Sequence, residues 1–490
     1  MYRRIVMLRI WNVIVCLACA VNAISQSDNA RRTIRVGPNI QVSKDRANVP
    51  HTEVVLAADP ADSQRLLAAS MLRYEGSEDQ CIVYLSTDGG ASWKTVLEPG
   101  VRAEIRGVKR AADPAVSFGP KGTAYFVMLA AESRLQYHYA VVFRSADSGL
   151  TWSEPTHVHQ PTRIDRPYIT VDQTGGKYHG QVYCNAVVLT DPLPGTGGTS
   201  ADGLPQGGLG IFFSSDGGRS FSEPVLQRVR MANQPHAPRA TGNSVVLSDG
   251  TVVMLYNFVE NPLRREDRTY WLGVERSVDG GRSLEPASPS QGERPPRGRA
   301  IPQSKFIGKT QYGVGLECLA VDSSSGPRRD WLYAVWAEHD GTRNRVMISI
   351  STDKGLTWST PTLVSDSAEA GAAGNYRGAF MPEVAVNKDG VVGVSWYDTR
   401  DAAGPDAGWD VRFTASSDGG KTWEPSVRVS ETSSIFTTAM QTTFGRRIGP
   451  GDTAGLAASA DGAFYPLWID HRTQTPQVWT ARITLGQSLR

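Results

Sequence analysis

The sequence is short of the features that usually announce a function. It has five cysteines in 490 residues, and two of them, Cys16 and Cys19, stand near the N-terminus. The others, Cys81, Cys184 and Cys318, are odd in number and sit in separate apolar, strand-like runs. That pattern excludes a fully paired disulfide framework and any zinc-type spacing, and it reads as buried free thiols. A hydrophobic core must then hold the fold, and a chain of this length can bury one. Net charge is low as well, +2 from 51 Lys and Arg against 49 Asp and Glu, which speaks against a nucleic-acid partner. No stretch sustains a helical period over about 15 residues. No Ser-His-Asp order, Gly-rich phosphate loop or calcium-loop signature stands out, so no cofactor or metal is expected.

Long apolar runs are missing too. Ile10 to Ala20 is the longest near the N-terminus, and it is shorter than the roughly 20 residues that span a bilayer. Arg3, Arg4 and Arg9 precede it and Val21-Asn22-Ala23 follows, which reads as a secretory signal over residues 1–23. A retained anchor is the alternative. A linker over 24–32 and one domain over 33–490 are expected, in a secreted or periplasmic monomer.

What the chain does have is punctuation. Its 49 Gly and 29 Pro are spread among many short apolar runs, the pattern of an all-β protein. One motif recurs six times, about 60 to 75 residues apart: Ser-x-Asp-x-Gly-x-Ser/Thr-aromatic. It reads Ser86 to Trp93, Ser145 to Trp152, Ser214 to Phe221, Ser277 to Leu284 (with Leu in the aromatic place), Ser351 to Trp358 and Ser416 to Trp423. Asp and Gly after a strand make a tight turn. The Asp carboxylate accepts backbone N–H groups, and Gly supplies positive φ without steric cost. Six evenly spaced copies mean a repeat architecture.

The motif resembles the Asp box of the sialidase-like (BNR repeat) β-propellers. The resemblance implies a propeller with the boxes between the third and fourth strands of each blade, on the face away from the site. Asp88, Asp147, Asp216, Asp279, Asp353 and Asp418 are then structural.

Six first strands can be read, at Val54–Ala58, Ala115–Phe118, Tyr168–Val171, Ser244–Leu247, Leu316–Val321 and Glu383–Val386. A seventh repeat follows, with strands at 454–458, 463–468 and 477–483, but neither a motif nor a fourth strand. Pro38-Asn39-Ile40-Gln41-Val42-Ser43 matches the fourth strand Pro425-Ser426-Val427-Arg428-Val429-Ser430. The N-terminal strand is therefore expected to complete blade 7, closing the ring and pairing its edges. Seven blades depart from the six of the sialidases. Six blades with residues 453–490 appended is the alternative.

In a propeller the first strands line the central channel, and the loops entering them meet at one mouth. Those loops carry Asp113, Arg166, Tyr168, His236, Arg239, Tyr312, Glu317, Tyr376, Arg377, Glu383 and Asp452. Arg presents a planar fork matched to a carboxylate. The resemblance implies Arg166, Arg239 and Arg377 as the clamp for an acidic sugar, Tyr376 (or Tyr312) as nucleophile assisted by Glu317, and Asp113 as the acid. Trp396-Tyr397-Asp398-Thr399-Arg400 and Trp468-Ile469-Asp470-His471-Arg472 repeat one element and read as scaffold. The function implied is sialidase-like hydrolysis of a terminal acidic sugar, with an acidic glycan as partner. A polysaccharide lyase using His236 or a Tyr as base, and a non-catalytic glycan- or protein-binding propeller, are the alternatives. A Gly-rich insert over Asp191–Gly210 reads as a lid or specificity loop.

Overall fold

Short strands joined by Asp/Gly turns build seven antiparallel sheets in a computed structural model, which describes residues 32–73, 79–99, 110–131, 139–158, 163–189, 207–227, 236–260, 269–285, 306–307, 317–340, 343–366, 378–401, 408–435 and 450–487. The sheets are the blades of a seven-bladed β-propeller. Blade 1 has strands His51–Ala58, Leu66–Leu72, Gln80–Ser86 and Lys94–Leu97, each paired with the next. Blades 2 to 6 repeat that order, with first strands at Arg110–Phe118, Arg163–Val171, His236–Val246, Cys318–Val321 and Ala379–Val386. These mostly begin earlier than their apolar runs suggest, because a kinked and partly polar segment precedes each run.

Several second strands are buried along their whole length, as in Leu66–Leu72, Ala124–Ala131 and Val392–Asp398. A strand sandwiched between two neighbouring sheets buries both faces, so its sequence is continuously apolar rather than alternating. Trp336, Trp396 and Trp468 close the second strands of blades 5, 6 and 7 as some of the largest fully buried side chains.

The six motif copies form one hydrogen-bond pattern. Ser86 Oγ donates to Asp88 Oδ1 (2.8 Å) and accepts the Gly90 N–H (2.8 Å). Asp88 then accepts the Ser92 N–H at 2.9 Å and the Ser92 hydroxyl at 2.5 Å. The copies at 145, 214, 277, 351 and 416 reproduce it. The second Gly also serves packing between blades. A Cβ on Gly90 would lie 2.9 Å from the ring of Tyr465 in blade 7, and one on Gly218 would lie 3.0 Å from Tyr125 in blade 2. Each motif thus locks its own hairpin, and in the copies at Gly90, Gly218 and Gly281 it also seats a tyrosine of the blade before it.

Blade 7 closes the ring. Strands Gly455–Ala458, Phe464–Asp470 and Gln477–Thr480 are joined by Ile40–Gln41, paired Ile40 to Thr480 and Gln41 to Trp479. The six-blade alternative is therefore excluded. Two details differ from the sequence reading. The closing strand is two residues long, and the third strand stops at Thr480. A separate strand, Ile483–Gln487, pairs with Arg32–Val36 and adds a second clasp. The break comes where Phe464 pairs with Ile483, so that residues 483–487 leave the blade edge. Cys81, Cys184 and Cys318 are free and buried, as expected.

Ser351 is fully buried and holds the Gly355 N–H. Ser351→Ala orphans that donor and is expected to cost about 1–3 kcal/mol, read as a lower denaturant midpoint at unchanged slope.

Candidate functional site

The first strands of blades 1, 2, 3, 4 and 6 share a bulge at a similar register. Pairing with the second strand slips between Thr52 and Val54, Ala112 and Ala115, Asp165 and Tyr168, Thr241 and Ser244, and Phe380 and Glu383. Glu53, Asp113, Arg166 and Met381 stand at the bulge with φ of 52°, 50°, 49° and 48°. A left-handed backbone at such residues costs of order 1–3 kcal/mol each. Pro114, Pro167 and Pro382 follow three of them, where the ladder needs no N–H. Bulges re-aim side chains, and here they send Glu53, Asp113 and Arg166 to the same pocket at the channel mouth. In blade 6 the same position sends Met381 into the core instead. Blade 7 adds Asp452, which follows Gly451 at φ 89°.

These charges hold one another. The Arg166 backbone N–H donates to Asp113 Oδ2 at 3.2 Å, and the Thr241 hydroxyl donates to the Arg166 carbonyl at 2.8 Å. Arg166 Nη2 reaches Asp452 Oδ2 at 2.6 Å, joining blades 3 and 7, which are not neighbours in the ring. Burial, and then the charge of Asp165, pushes Asp113 up to about 6 against the pull of Arg166. Burial and the charges of Asp113 and Asp452 push Glu53 well above the usual carboxylate range. Asp452, Asp113 and Asp165 keep Arg166 charged despite its burial.

Beneath the mouth lies a cavity of about 220 Å³, walled by the first strands and sharing Tyr168 and Thr453 with the mouth pocket. Its polar lining includes Tyr168, Glu317 and Glu383, with the Cys318 thiol beside Glu383. Both oxygens of Glu317 accept from Asn257 Nδ2, at 3.0 and 3.1 Å, yet burial raises this carboxyl to about 7. Burial raises Glu383 to about 8, although the Cys318 thiol and the Ala454 N–H favour its charged form. Burial, then the charge of Glu383, holds the Tyr168 phenol protonated. Several carboxyls poised to exchange a proton near neutrality, around an open cavity, can serve acid–base chemistry.

Of the expected residues, the structure brings Asp113 and Arg166 into contact and sets Glu317 in the adjoining cavity, where the charge of Arg166 still reaches it. Tyr376, Arg377, Tyr312 and most of the 191–210 insert lie outside the described residues. His236 and Arg239 lie on the first strand of blade 4, with side chains outside those described. The repeated Trp-x-Asp-x-Arg element is scaffold, as read. Asp398 accepts from Trp396 Nε1 (2.9 Å) and Arg400 Nη2 (2.8 Å), and Asp470 accepts from Trp468 Nε1 (3.4 Å) and Arg472 Nη2 (2.6 Å). Sequence reasoning passed over Glu53. Aligning the first strands sets it level with Asp113 and Arg166, which was the available signal. Among the described residues no His/Cys/Asp/Glu group could hold a metal ion, and no helix is long and apolar enough to cross a membrane.

No protein-family model matches the sequence, and no curated protein matches it significantly. Among solved structures, it is similar to a Hadza microbial sialidase at 14% identity and a TM-score of 0.45, over 93% of this chain and 92% of that one. The NanB sialidase from Streptococcus pneumoniae is 8% identical, with a TM-score of 0.47, over 94% and 99%. The Penicillium chrysogenum α-L-arabinanase is 12% identical, with a TM-score of 0.47, over 74% and 94%. At these values the functional reading stands on this chain's own residues.

Burial of Glu383 has a pH signature. Its carboxyl rises from an ordinary 4.5 to about 8 on folding. The folded state then holds this proton more tightly than the unfolded chain, and stability falls as pH rises through that window. Glu383→Gln removes the effect. Its stability relative to wild type is expected to increase from about pH 4.5 to about pH 8 and then level off, measured by denaturant titration across pH.

Proposed function

We propose that this protein is a secreted or periplasmic glycoside hydrolase that removes a terminal acidic sugar, of the sialic acid class, from a glycan. The observation that carries the reading is the convergence of Asp113 and Arg166 on one mouth above the cavity that holds Tyr168 and Glu317. Among the described residues the Arg166 side chain makes one hydrogen-bonded ion pair, to Asp452, and it is 26% exposed at the mouth, where a ligand carboxylate can reach its fork. Arg239 and Arg377 complete the clamp in this reading.

Asp113 is the acid, since burial keeps a share of it protonated near neutrality. It gives its proton to the glycosidic oxygen as the bond to the anomeric carbon breaks. A phenol oxygen bonds to that carbon while its proton passes to the Glu317 carboxylate. Tyr376 is the phenol that the family resemblance implies, and Tyr168 is the one that shares the cavity with Glu317. Water then displaces the phenolate, Asp113 takes the proton of the water, and Glu317 returns the phenol proton. A neutral phenol suits an anionic substrate, because a carboxylate nucleophile would be repelled by the sugar's own charge.

The test is turnover of a fluorogenic sialoside by wild type, Asp113→Asn, Glu317→Gln and Arg377→Ala, with folding checked by circular dichroism. Asp113→Asn is expected to lower kcat by about 10²- to 10⁴-fold. An unchanged kcat in Asp113→Asn, or no turnover by wild type, overturns the assignment. A wild type that instead forms unsaturated uronate from acidic polysaccharides is a lyase.

A further inference from the structure

The ion pair between Arg166 and Asp452 crosses the channel mouth between blades that do not touch one another in the ring. Its two ends differ. Arg166 is pinned through its backbone by Asp113 and Thr241, and its side chain is 26% exposed. Asp452 is 49% exposed at its side chain, and its carboxylate has Arg166 as its one hydrogen-bonding partner among the described residues. Its backbone is held in place, because a Cβ on the preceding Gly451 would lie 2.4 Å from Glu53 Cγ. A carboxylate on a fixed loop, half in water, therefore rests on the Arg166 guanidinium, which among the described residues is the one that lines the mouth pocket. Asp398 and Asp470, by contrast, are buried beneath their arginines and held by a Trp indole as well.

We propose that Asp452 is a built-in occupant of the ligand's place on Arg166, and that an acidic sugar binds by exchanging its carboxylate for that of Asp452. The inference rests on the acidic-sugar reading above and adds a competing group to it. Exchange selects for charge. A neutral sugar cannot replace the pair it would break, whereas a carboxylate restores it. Exchange also preserves the field at the acid. The charged and titratable groups around Asp113 are Asp165 and Arg166 from blade 3, Asp452 from blade 7, and Glu53 and Cys81 from blade 1, the last two pushed toward their neutral forms by burial. A ligand carboxylate on Arg166 adds a negative charge while the displaced Asp452 stays on its loop, so the negative field that raises Asp113 is kept when the substrate arrives.

Calorimetric titration of full-length wild type and Asp452→Asn with N-acetylneuraminic acid, galacturonic acid and galactose tests this. With the competitor neutralised, at least one acidic sugar is expected to bind about three- to tenfold more tightly to Asp452→Asn, with galactose unchanged. The apparent pKa of Asp113, followed by carboxyl NMR, is expected to fall in ligand-free Asp452→Asn and to return toward the wild-type value when the acidic sugar is bound. Equal or weaker acidic-sugar binding in a folded Asp452→Asn overturns the exchange and leaves the acidic-sugar reading standing. No acidic-sugar binding in either protein overturns that reading, and the exchange with it. Asp452→Glu, which keeps the charge, is expected to restore the wild-type affinity.

Discussion

Everything at the channel mouth depends on a two-residue strand. Ile40 and Gln41 pair with Thr480 and Trp479, and through them the last blade meets the first. Without that pairing the third strand of blade 7 is an open edge, and the ring can splay. Hydrogen bonds such as Gln41 to Gln477, separated by 436 residues in sequence, support it, and the Arg32–Val36 clasp doubles it. Contacts so distant in sequence form only after a large loss of chain entropy, so closure belongs at the end of folding. The Arg166–Asp452 pair needs a closed ring as well, because its partners belong to blades 3 and 7.

The stability of the fold and the chemistry of the site occupy opposite ends of the blades. At one end, six motif turns satisfy their own polar groups, and some of them take a neighbour's tyrosine against a glycine, as Gly90 takes Tyr465. At the other end the backbone is left-handed at Glu53, Asp113 and Arg166, and carboxyls are buried where burial raises their proton affinity. Both features oppose folding, and the surrounding ladders hold them in place. Strain and desolvation gathered at one concave surface are what a site for proton transfer requires.

Much of the architecture was legible in the sequence, because its signals are local. A serine, an aspartate and a glycine within eight residues carry most of a hairpin's hydrogen bonds, so six hairpins announce themselves. The closing strand was legible because Pro38–Ser43 keeps the pattern of Pro425–Ser430. The second clasp was hidden, since residues 477–483 read as one strand and only the pairing of Phe464 with Ile483 shows where the chain leaves the blade. At the mouth, Asp113, Arg166 and Glu317 were found by counting which loops enter which strands. Glu53 was missed because the bulge that aims it is a property of two strands slipping past each other. Neither strand encodes that slip alone. The proton affinities of Glu317 and Glu383 were hidden for a similar reason, as they follow from seven strands shutting out water.

The shared bulge has a consequence for how such a site changes over time. Glu53, Asp113, Arg166 and Met381 sit on nearly the same backbone conformation, yet they present an acid, another acid, a guanidinium cation and a thioether. The ladder on either side does not register which side chain is mounted there. The ring is therefore a set of equivalent sockets around a common axis, and the chemistry of the mouth can be rewritten one blade at a time without renegotiating the fold.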